Sequence, residues 1–174
     1  MPRISIIVAT YNRAQQLLGT LESLVQQDLP AAEWECIVVD NNSKDDTQAL
    51  FAEFAEANRG FNLRIVREER QGLSFARNRG VEESRGEIIA SIDDDETVNE
   101  EFARGYLELF DKCEIAVAAG GRVVPSYPLG RPSWLSHLPR YLLLIRRIGV
   151  MTFANFRRDA FPQEEIWLSG AKFC

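Results

Sequence analysis

The sequence predicts an α/β fold in which helices cover both faces of a doubly wound, mostly parallel sheet. Short apolar runs alternate four times with segments of helical periodicity between residues 4 and 112. Strands joined through helices pair in parallel, because each crossover returns the chain to the same end of the sheet. Polar clusters directly follow three of the apolar runs, and ligands bind at such strand ends in open α/β sheets. We therefore expect a ligand site at one edge of the sheet.

Apolar runs and helical spacing predict the order of the elements. Strands are predicted at Ile4–Ala9, Cys36–Val39, Leu63–Val66, Ile88–Ile92 and Ile115–Val124, the last interrupted at Gly120 and Gly121. Helices are predicted around Leu17–Val25, Leu50–Phe54, Ser74–Ser84 and Phe102–Phe110. Ser43, followed three residues later by Asp46, predicts a capping box at the start of the second helix.

Length and composition limit the class of protein. With 174 residues, of which 45% are hydrophobic, the chain can form one domain with a substantial core. Its net charge of -6 argues against a nucleic-acid partner, although Arg131–Val150 carries four arginines and no acidic residue. The three cysteines, Cys36, Cys113 and Cys174, are far apart and are predicted to be buried free thiols in a reducing compartment. We expect a cytoplasmic protein.

Four consecutive acidic residues, Asp93–Glu96, directly follow the fourth predicted strand. A hard divalent cation with oxygen ligands, Mg²⁺ or Mn²⁺, would relieve the repulsion among them. Such an ion commonly takes one or two carboxylates together with substrate phosphates, which favours a diphosphate ligand. The alternative is a solvated acidic turn that precedes the next helix, and this motif alone does not decide between the two.

Polar residues after the first two strands are further candidates. The carboxylate of Asp40 can accept hydrogen bonds from a ribose hydroxyl or a base N–H; alternatively it forms an Asx turn or caps a helix. Tyr11 and Arg13 can offer stacking and positive charge to a nucleotide, whereas Arg13 could equally be a solvated residue of the first helical turn. Taken singly, each of these residues fits its structural alternative better.

Taken together, four ordered segments resemble the family 2 glycosyltransferases, which have the GT-A, nucleotide-diphospho-sugar transferase-like fold. The segments are Ser5–Arg13, Val38–Ser43 with Asp45–Thr47, Gly72–Gly80, and Arg85–Ile89 leading into Asp93–Asp95. Their order and spacing match the family, and the resemblance extends from residue 3 to about residue 124. Four motifs in the right order are far more specific than any one of them.

The resemblance implies a nucleotide-sugar donor, with a UDP-sugar as the expected one. The residues implied in binding it are Ala9, Thr10, Tyr11, Arg13, Asp40, Arg77, Asp93 and Asp94. Asp95 is the implied ligand of Mn²⁺ or Mg²⁺, and Asp93 is a second metal candidate because the triplet allows more than one alignment of Asp-x-Asp. The implied reaction is a single displacement that inverts the anomeric centre while the metal stabilises the departing diphosphate.

The same resemblance implies a carboxylate base in an acceptor-side segment that follows a glycine-containing apolar stretch. Leu168–Lys172 resembles the start of that stretch, but Glu164–Glu165 lies before it and no acidic pair follows it as far as Cys174. We therefore leave the catalytic residue unknown, expect the base beyond Cys174, and expect a shortened chain. Within one structural domain, residues 1–124 would bind the nucleotide sugar and residues 125–174 would begin the acceptor-side segment.

Two other functions remain open. A non-catalytic nucleotide-sugar-binding module would share the donor site and lack the base. Asp93–Thr97 also fits the nucleophile motif of haloacid-dehalogenase-like phosphatases. That family also needs a later lysine and a later strand that ends in an acidic pair; after Val98 the only lysines are Lys112 and Lys172 and the only aspartates are Asp111 and Asp159, so this alternative is disfavoured.

The expected acceptor of a transferase is a saccharide or a lipid-linked molecule. Residues 131–150 combine arginines with aromatic and aliphatic side chains, so they would either pack over the sheet or contact an anionic membrane surface peripherally. Peripheral contact would place the protein at the inner face of the membrane.

Overall fold

A computed structural model describes residues 1–113, 115–121, 124, 126, 127 and 130, and the backbone of 155–157. The elements are β1 (Ile4–Thr10), α1 (Ala14–Leu24), β2 (Trp34–Asp40), α2 (Thr47–Ala57), β3 (Leu63–Arg67), α3 (Leu73–Glu83), β4 (Ile88–Asp93), α4 (Phe102–Lys112), β5 (Ala118–Ala119) and β6 (Asn155–Arg157). The predicted alternation of strands and helices is confirmed. Within these ranges, no helix has the length and apolar character needed to cross a bilayer.

The strands form one sheet in the order β3-β2-β1-β4-β6-β5. The neighbours β3, β2, β1 and β4 are all parallel, whereas β6 runs antiparallel to both β4 and β5. The sheet is therefore mostly parallel, as predicted. The register pairs Thr10 with Asp40 and Ala9 with Asp93, so the carboxyl ends of β1, β2 and β4 lie at the same edge.

Helices cover both faces of the sheet. One face packs against α1, α2 and α4, where every third or fourth residue of α1 contributes a fully buried leucine: Leu17, Leu21 and Leu24. The other face packs against α3 through a smaller cluster that includes Ile7 and Ala76. All seven residues of β1 and of β2 are buried, as expected for central strands with helices on both sides.

Small residues allow α3 to lie close to the sheet. Its two buried residues, Ala76 and Gly80, are four positions apart and therefore share one face of the helix. A Cβ atom at Gly80 would overlap the Cγ2 methyl group of Ile7 in β1. The glycine inside this helix is thus a packing requirement, although it lowers the intrinsic helix propensity of the segment.

The predicted fifth strand is wrong in its length. Among the residues of Ile115–Val124 that the structure describes, Ala118 and Ala119 alone form a strand, and they pair with β6. Ile115 is 89% exposed and lies in a turn, because the amide of Ala116 donates to the carbonyl oxygen of Cys113. An apolar run forms a strand only where a partner strand lies beside it.

The predicted capping box is also wrong. The N-cap residue of α2 is Asp46, and its side chain makes no capping hydrogen bond. The hydroxyl oxygen of Ser43 instead accepts a hydrogen bond from the amide of Asn12. The amide of Thr47, the first residue of α2, donates to the carboxylate of Asp45. Asp45, and not Ser43, therefore accepts a hydrogen bond from a backbone amide at the start of the helix.

The cysteine prediction holds for one residue and fails for another. Cys36 is buried in β2, and burial raises the pKa of its thiol to about 12. Cys113 is exposed because it lies just after the end of α4. Cys174 lies outside the described residues, as do Arg131–Val150, Glu164–Glu165 and Leu168–Lys172.

The described residues fall into two compact units. The first contains residues 1–119 and the backbone of 155–157, which together include the whole sheet. The second starts at Gly120, and within it the amide of Gly130 donates to the carbonyl oxygen of Tyr127. The division into a donor part, 1–124, and an acceptor part, 125–174, stays a prediction.

We expect Gly80→Ala to lower the free energy of unfolding by about 1–3 kcal/mol, because the new methyl group forces Ile7 or the helix to shift. The gain in helix propensity, about 0.5–1 kcal/mol, is smaller and does not offset this overlap. Gly105→Ala in α4 is the matched control, since an added Cβ there meets nothing within 4 Å and should be neutral or slightly stabilising. Urea denaturation followed by circular dichroism measures both; equal effects of the two changes would contradict the close approach of α3.

Candidate functional site

A cleft of about 520 Å³ opens where the carboxyl ends of β1, β2 and β4 meet. Its volume lies within the usual range of small-ligand sites, about 300–1,000 Å³. It is lined by the strand ends, the loop before α3 and the start of α3: Ala9, Thr10, Tyr11, Arg13, Asn41, Gln71, Gly72, Leu73, Ala76, Asp93, Asp94 and Asp95. Six of the eight predicted nucleotide-binding residues are in this set, and Asp95 joins them; Asp40 and Arg77 are outside it.

Asp94 and Asp95 share one cation from the turn after β1. The Nη1 atom of Arg13 lies 3.1 Å from Oδ1 of Asp94 and 3.1 Å from Oδ2 of Asp95. Asp94 is buried, and its Oδ2 also accepts a hydrogen bond of 2.8 Å from the hydroxyl of Thr10. The side chain of Asp95 is 55% exposed. The negative charge of Asp94 raises the pKa of Arg13, so the guanidinium keeps its charge beside the cleft.

Asp93 has a cation of its own. Its Oδ1 accepts a hydrogen bond of 2.9 Å from Nη2 of Arg77, which reaches it from α3. The backbone amide of Asp93 donates to the carboxylate of Glu96, which closes the turn after β4. Two arginines of the chain therefore offset two of the three negative charges of the acidic triplet, whereas from the sequence alone a metal ion was the expected counter-charge.

The residues in the cleft still suit a divalent cation. Asp93 and Asp95 offer hard carboxylate oxygens on the cleft wall, which is the donor type that Mg²⁺ and Mn²⁺ prefer. Across the part of the chain that the structure describes, no three His, Cys, Asp or Glu side chains are arranged to hold a metal ion. With Asp93 and Asp95 as its protein ligands, such an ion would complete its shell with water and ligand phosphates.

Asp40 occupies a structural position. It is fully buried; its Oδ1 accepts from the amide of Ser43 at 2.8 Å and its Oδ2 accepts from Nε2 of Gln48 at 2.8 Å. The first contact spans three residues, whereas an Asx turn spans two, so it closes the turn after β2 without forming the Asx turn or helix cap that was the expected alternative to nucleotide binding. The next but one residue, Asn42, has a positive φ of 67°, as expected for an asparagine in such a turn. A contact between Asp40 and a nucleotide stays a prediction.

Asn41, which was not predicted from the sequence as a site residue, holds one wall of the cleft. Asn41 is buried; its Nδ2 donates to the carbonyl oxygens of Glu68 and Arg70, and its Oδ1 accepts from the amide of Gly72 at 2.8 Å. These three hydrogen bonds fix the backbone of the loop that connects β3 to α3. Gln71 and Gly72 of this loop, together with Leu73 at the start of α3, line the cleft.

The same loop is closed by an ion pair. Hydrogen bonds from Arg70 lower the pKa of Glu68 to about 2, and the guanidinium of Arg70 also lies 4.9 Å from the ring centre of Phe75. A glycine at the strand-to-helix turn was the available signal in the sequence, since Gly72 has a φ of 143° and directly precedes α3. The loop is therefore a part of the site that the sequence marked only through Gly72.

We expect Asp40→Ala to lower the free energy of unfolding by about 1–3 kcal/mol, because the change removes a fully buried carboxylate together with its hydrogen bonds to Ser43 and Gln48. Asp46→Ala is the matched control: it removes an exposed carboxylate without a capping bond and should change stability by at most about 0.5 kcal/mol. Urea denaturation of both variants gives the comparison. Unchanged stability of Asp40→Ala would show that the two hydrogen bonds contribute little.

Comparison with known proteins identifies glycosyltransferases among the relatives of this chain. The family model "Glycosyl transferase family 2" matches residues 5–164. Glycosyltransferase AglE of Haloferax volcanii is 30% identical over 130 residues, covering 75% of this chain and 42% of the relative. The glucosyl-dolichyl phosphate glucuronosyltransferase of the same organism is 28% identical over 172 residues, covering 97% of this chain and 45% of the relative.

Solved structures similar to this chain also include glycosyltransferases. The structure of S. aureus TarS 1-349 in complex with UDP-GlcNAc is 26% identical, with a TM-score of 0.64 over 76% of this chain and 37% of that chain. The mannosyltransferase PcManGT from Pyrobaculum calidifontis, in complex with GDP-Man and Mn2+, has a TM-score of 0.70 at 24% identity, over 91% of this chain and 45% of that chain, and supports the fold alone. The chain spans less than half the length of each of these four relatives. The predicted GT-A fold is confirmed, the phosphatase alternative is set aside, and the chain belongs to glycosyl transferase family 2.

Proposed function

We propose that the cleft binds a nucleotide-sugar donor and that the protein transfers the sugar, with inversion, to a saccharide or lipid-linked acceptor. The observation that carries this proposal is the register of β1 with β4, which places Ala9 beside Asp93. Through it, the acidic triplet lines one cleft together with Thr10, Tyr11 and Arg13. The TarS structures with UDP and UDP-GlcNAc support a nucleotide-sugar donor, because TarS shares both the fold and sequence similarity with this chain.

The cleft offers separate surfaces for the parts of such a donor. Tyr11 and Leu73 are 42% and 51% exposed and line the cleft, so they can cover the flat face of a base. Arg13 lies beside the carboxylates of Asp94 and Asp95, and its guanidinium can donate charge-assisted hydrogen bonds to a diphosphate. We propose a UDP-sugar as the donor and place the base towards Tyr11 and the diphosphate towards Arg13.

The acidic triplet is held ready by its neighbours. Thr10 fixes Asp94 and Arg77 fixes Asp93, so both carboxylates keep their orientation before any ligand arrives. Asp93 and Asp95 are the residues that would hold Mn²⁺ or Mg²⁺, and a bound ion of this kind stabilises the negative charge of a departing diphosphate. The acceptor hydroxyl also needs a carboxylate base, and the candidates Glu164–Glu165 lie outside the described residues.

The acceptor is proposed from one relative. The glucuronosyltransferase that matches 97% of this chain is named for a glucosyl-dolichyl phosphate, which favours a lipid-linked acceptor. Such an acceptor fits a location in the cytoplasm at the inner face of the membrane. Residues 131–150, with four arginines and no acidic residue, are the proposed contact with the membrane surface.

We expect UDP to bind about tenfold more tightly in Mn²⁺ than in EDTA, and Asp95→Asn to remove that gain, because an added cation offsets the repulsion between carboxylates and diphosphate. Asp111→Asn is the matched control: its side chain is 57% exposed, against 55% for Asp95, and it pairs with Arg3 away from the cleft. Isothermal titration calorimetry measures all three proteins. Equal affinities in Mn²⁺ and EDTA, or an unaffected Asp95→Asn variant, would contradict the metal assignment; absence of nucleoside-diphosphate binding under both conditions would contradict the donor site.

Transfer is tested by release of nucleoside diphosphate from UDP-, GDP- and dTDP-sugars with and without acceptors. A transferase gives release that rises with acceptor, whereas a non-catalytic binding module gives none. The panel also identifies the base and sugar that the cleft selects.

A further inference from the structure

We propose that Arg13 is a resident counter-ion of the acidic triplet, and that its departure from Asp95 couples cation binding to diphosphate binding. The inference rests on the proposed function, since it concerns the same cleft. It assigns to Arg13 a positioning role that changes between the empty and the loaded site. Three properties support this role: one nitrogen of Arg13 contacts two carboxylates, these two contacts differ in their exposure to water, and the cation and the diphosphate differ in the sign of their charge.

The first property is that one nitrogen spans two carboxylates. The Nη1 atom of Arg13 lies 3.1 Å from Oδ1 of Asp94 and 3.1 Å from Oδ2 of Asp95. Arg13 is the hydrogen-bonding partner that the structure gives to the carboxylate of Asp95. The guanidinium therefore already supplies, beside Asp95, the positive charge that a metal ion would bring.

The second property is an asymmetry between the two contacts. Asp94 has a side chain that is 8% exposed and is also fixed by Thr10, so its contact with Arg13 is sheltered. Asp95 is 55% exposed and Arg13 is 50% exposed, so their contact is open to water. Exposed ion pairs typically contribute only about 0–1 kcal/mol. The contact with Asp95 is therefore the one that can be given up easily.

The third property is the sign of the charges. A divalent cation at Asp95 would meet the guanidinium that shares this carboxylate, and the two positive charges repel each other. A diphosphate attracts both, because its oxygens accept charge-assisted hydrogen bonds from Arg13 and bind the cation. Cation and diphosphate should then strengthen each other's binding by the same factor, as any such coupling is reciprocal. In the empty site, Arg13 disfavours a cation that arrives alone.

We expect Arg13→Gln to bind Mn²⁺ without nucleotide about threefold more tightly than the wild type, since the competing charge at Asp95 is gone. Saturating UDP should strengthen Mn²⁺ binding by a factor of about 5–150 in the wild type, within the usual range of coupling between sites, and by a smaller factor in the variant. Titration followed by the electron paramagnetic resonance signal of free Mn²⁺ measures these affinities without relying on catalysis.

Two further variants locate the effect. Arg104→Gln removes the same charge from α4, where the guanidinium is 44% exposed and pairs with Asp28 at 2.6 Å, and it should leave Mn²⁺ affinity unchanged. The double variant Arg13→Gln/Asp95→Asn should lose the gain of the single variant, because Asp95 is the carboxylate that was released. Thermal melting of each protein establishes that the comparison is made between folded chains.

The proposal is overturned if Arg13→Gln gains no Mn²⁺ affinity in the absence of nucleotide, including the case in which neither protein binds Mn²⁺ detectably. It is also overturned if Arg104→Gln produces the same gain, since a general charge effect would then explain both. Failure of the proposed function is a separate result: UDP would bind none of the proteins in Mn²⁺, while the titrations without nucleotide would still decide the role of Arg13.

Discussion

The parallel register of β1 with its two neighbours is the constraint on which the other features depend. It pairs Thr10 with Asp40 and Ala9 with Asp93, and thereby brings three polar strand ends to one edge. A shift by one residue would exchange the two faces of β1, placing Ile7 where α1 and α4 pack and removing it from Gly80. The small residues of α3 and the leucines of α1 therefore both favour this one register of β1.

The sequence predicts well those features that depend on local pattern. β1 and β2 were placed to within about two residues, since their apolar runs are continuous and end in polar residues, and six of eight nucleotide-binding candidates lie in the cleft for the same reason. Features that depend on residues far away in the chain could not be predicted from the sequence. β5 depends on β6, and Ser43 bonds to Asn12 across 31 residues of chain. Asn41 was missed because its three hydrogen bonds go to backbone atoms of another loop.

The charge of the site likewise depends on residues that are distant in the sequence. Counting residues gives a net charge of -6 and a run of four acids, which suggests a strongly negative site. In the folded chain, Arg13 and Arg77 come from positions 81 and 16 residues away to meet Asp94 and Asp93. The net charge of the site is thus closer to zero than the four consecutive acidic residues suggest. Its response to ligands depends on which ion pairs are broken when a cation or an anion binds.

The tether made by Asn41 has a consequence for how relatives of this protein can diverge. Because Asn41 holds the loop through backbone atoms, the path of the main chain at the cleft wall does not depend on the side chain of Leu73, whereas Gln71 adds a hydrogen bond from its Nε2 to the carbonyl oxygen of Asn41. The side chain of Leu73 can therefore be exchanged while the wall keeps its position against the sheet. Selectivity for a new donor can then arise by point substitution on an inherited frame, without insertion, deletion or loss of the carboxylate arrangement opposite.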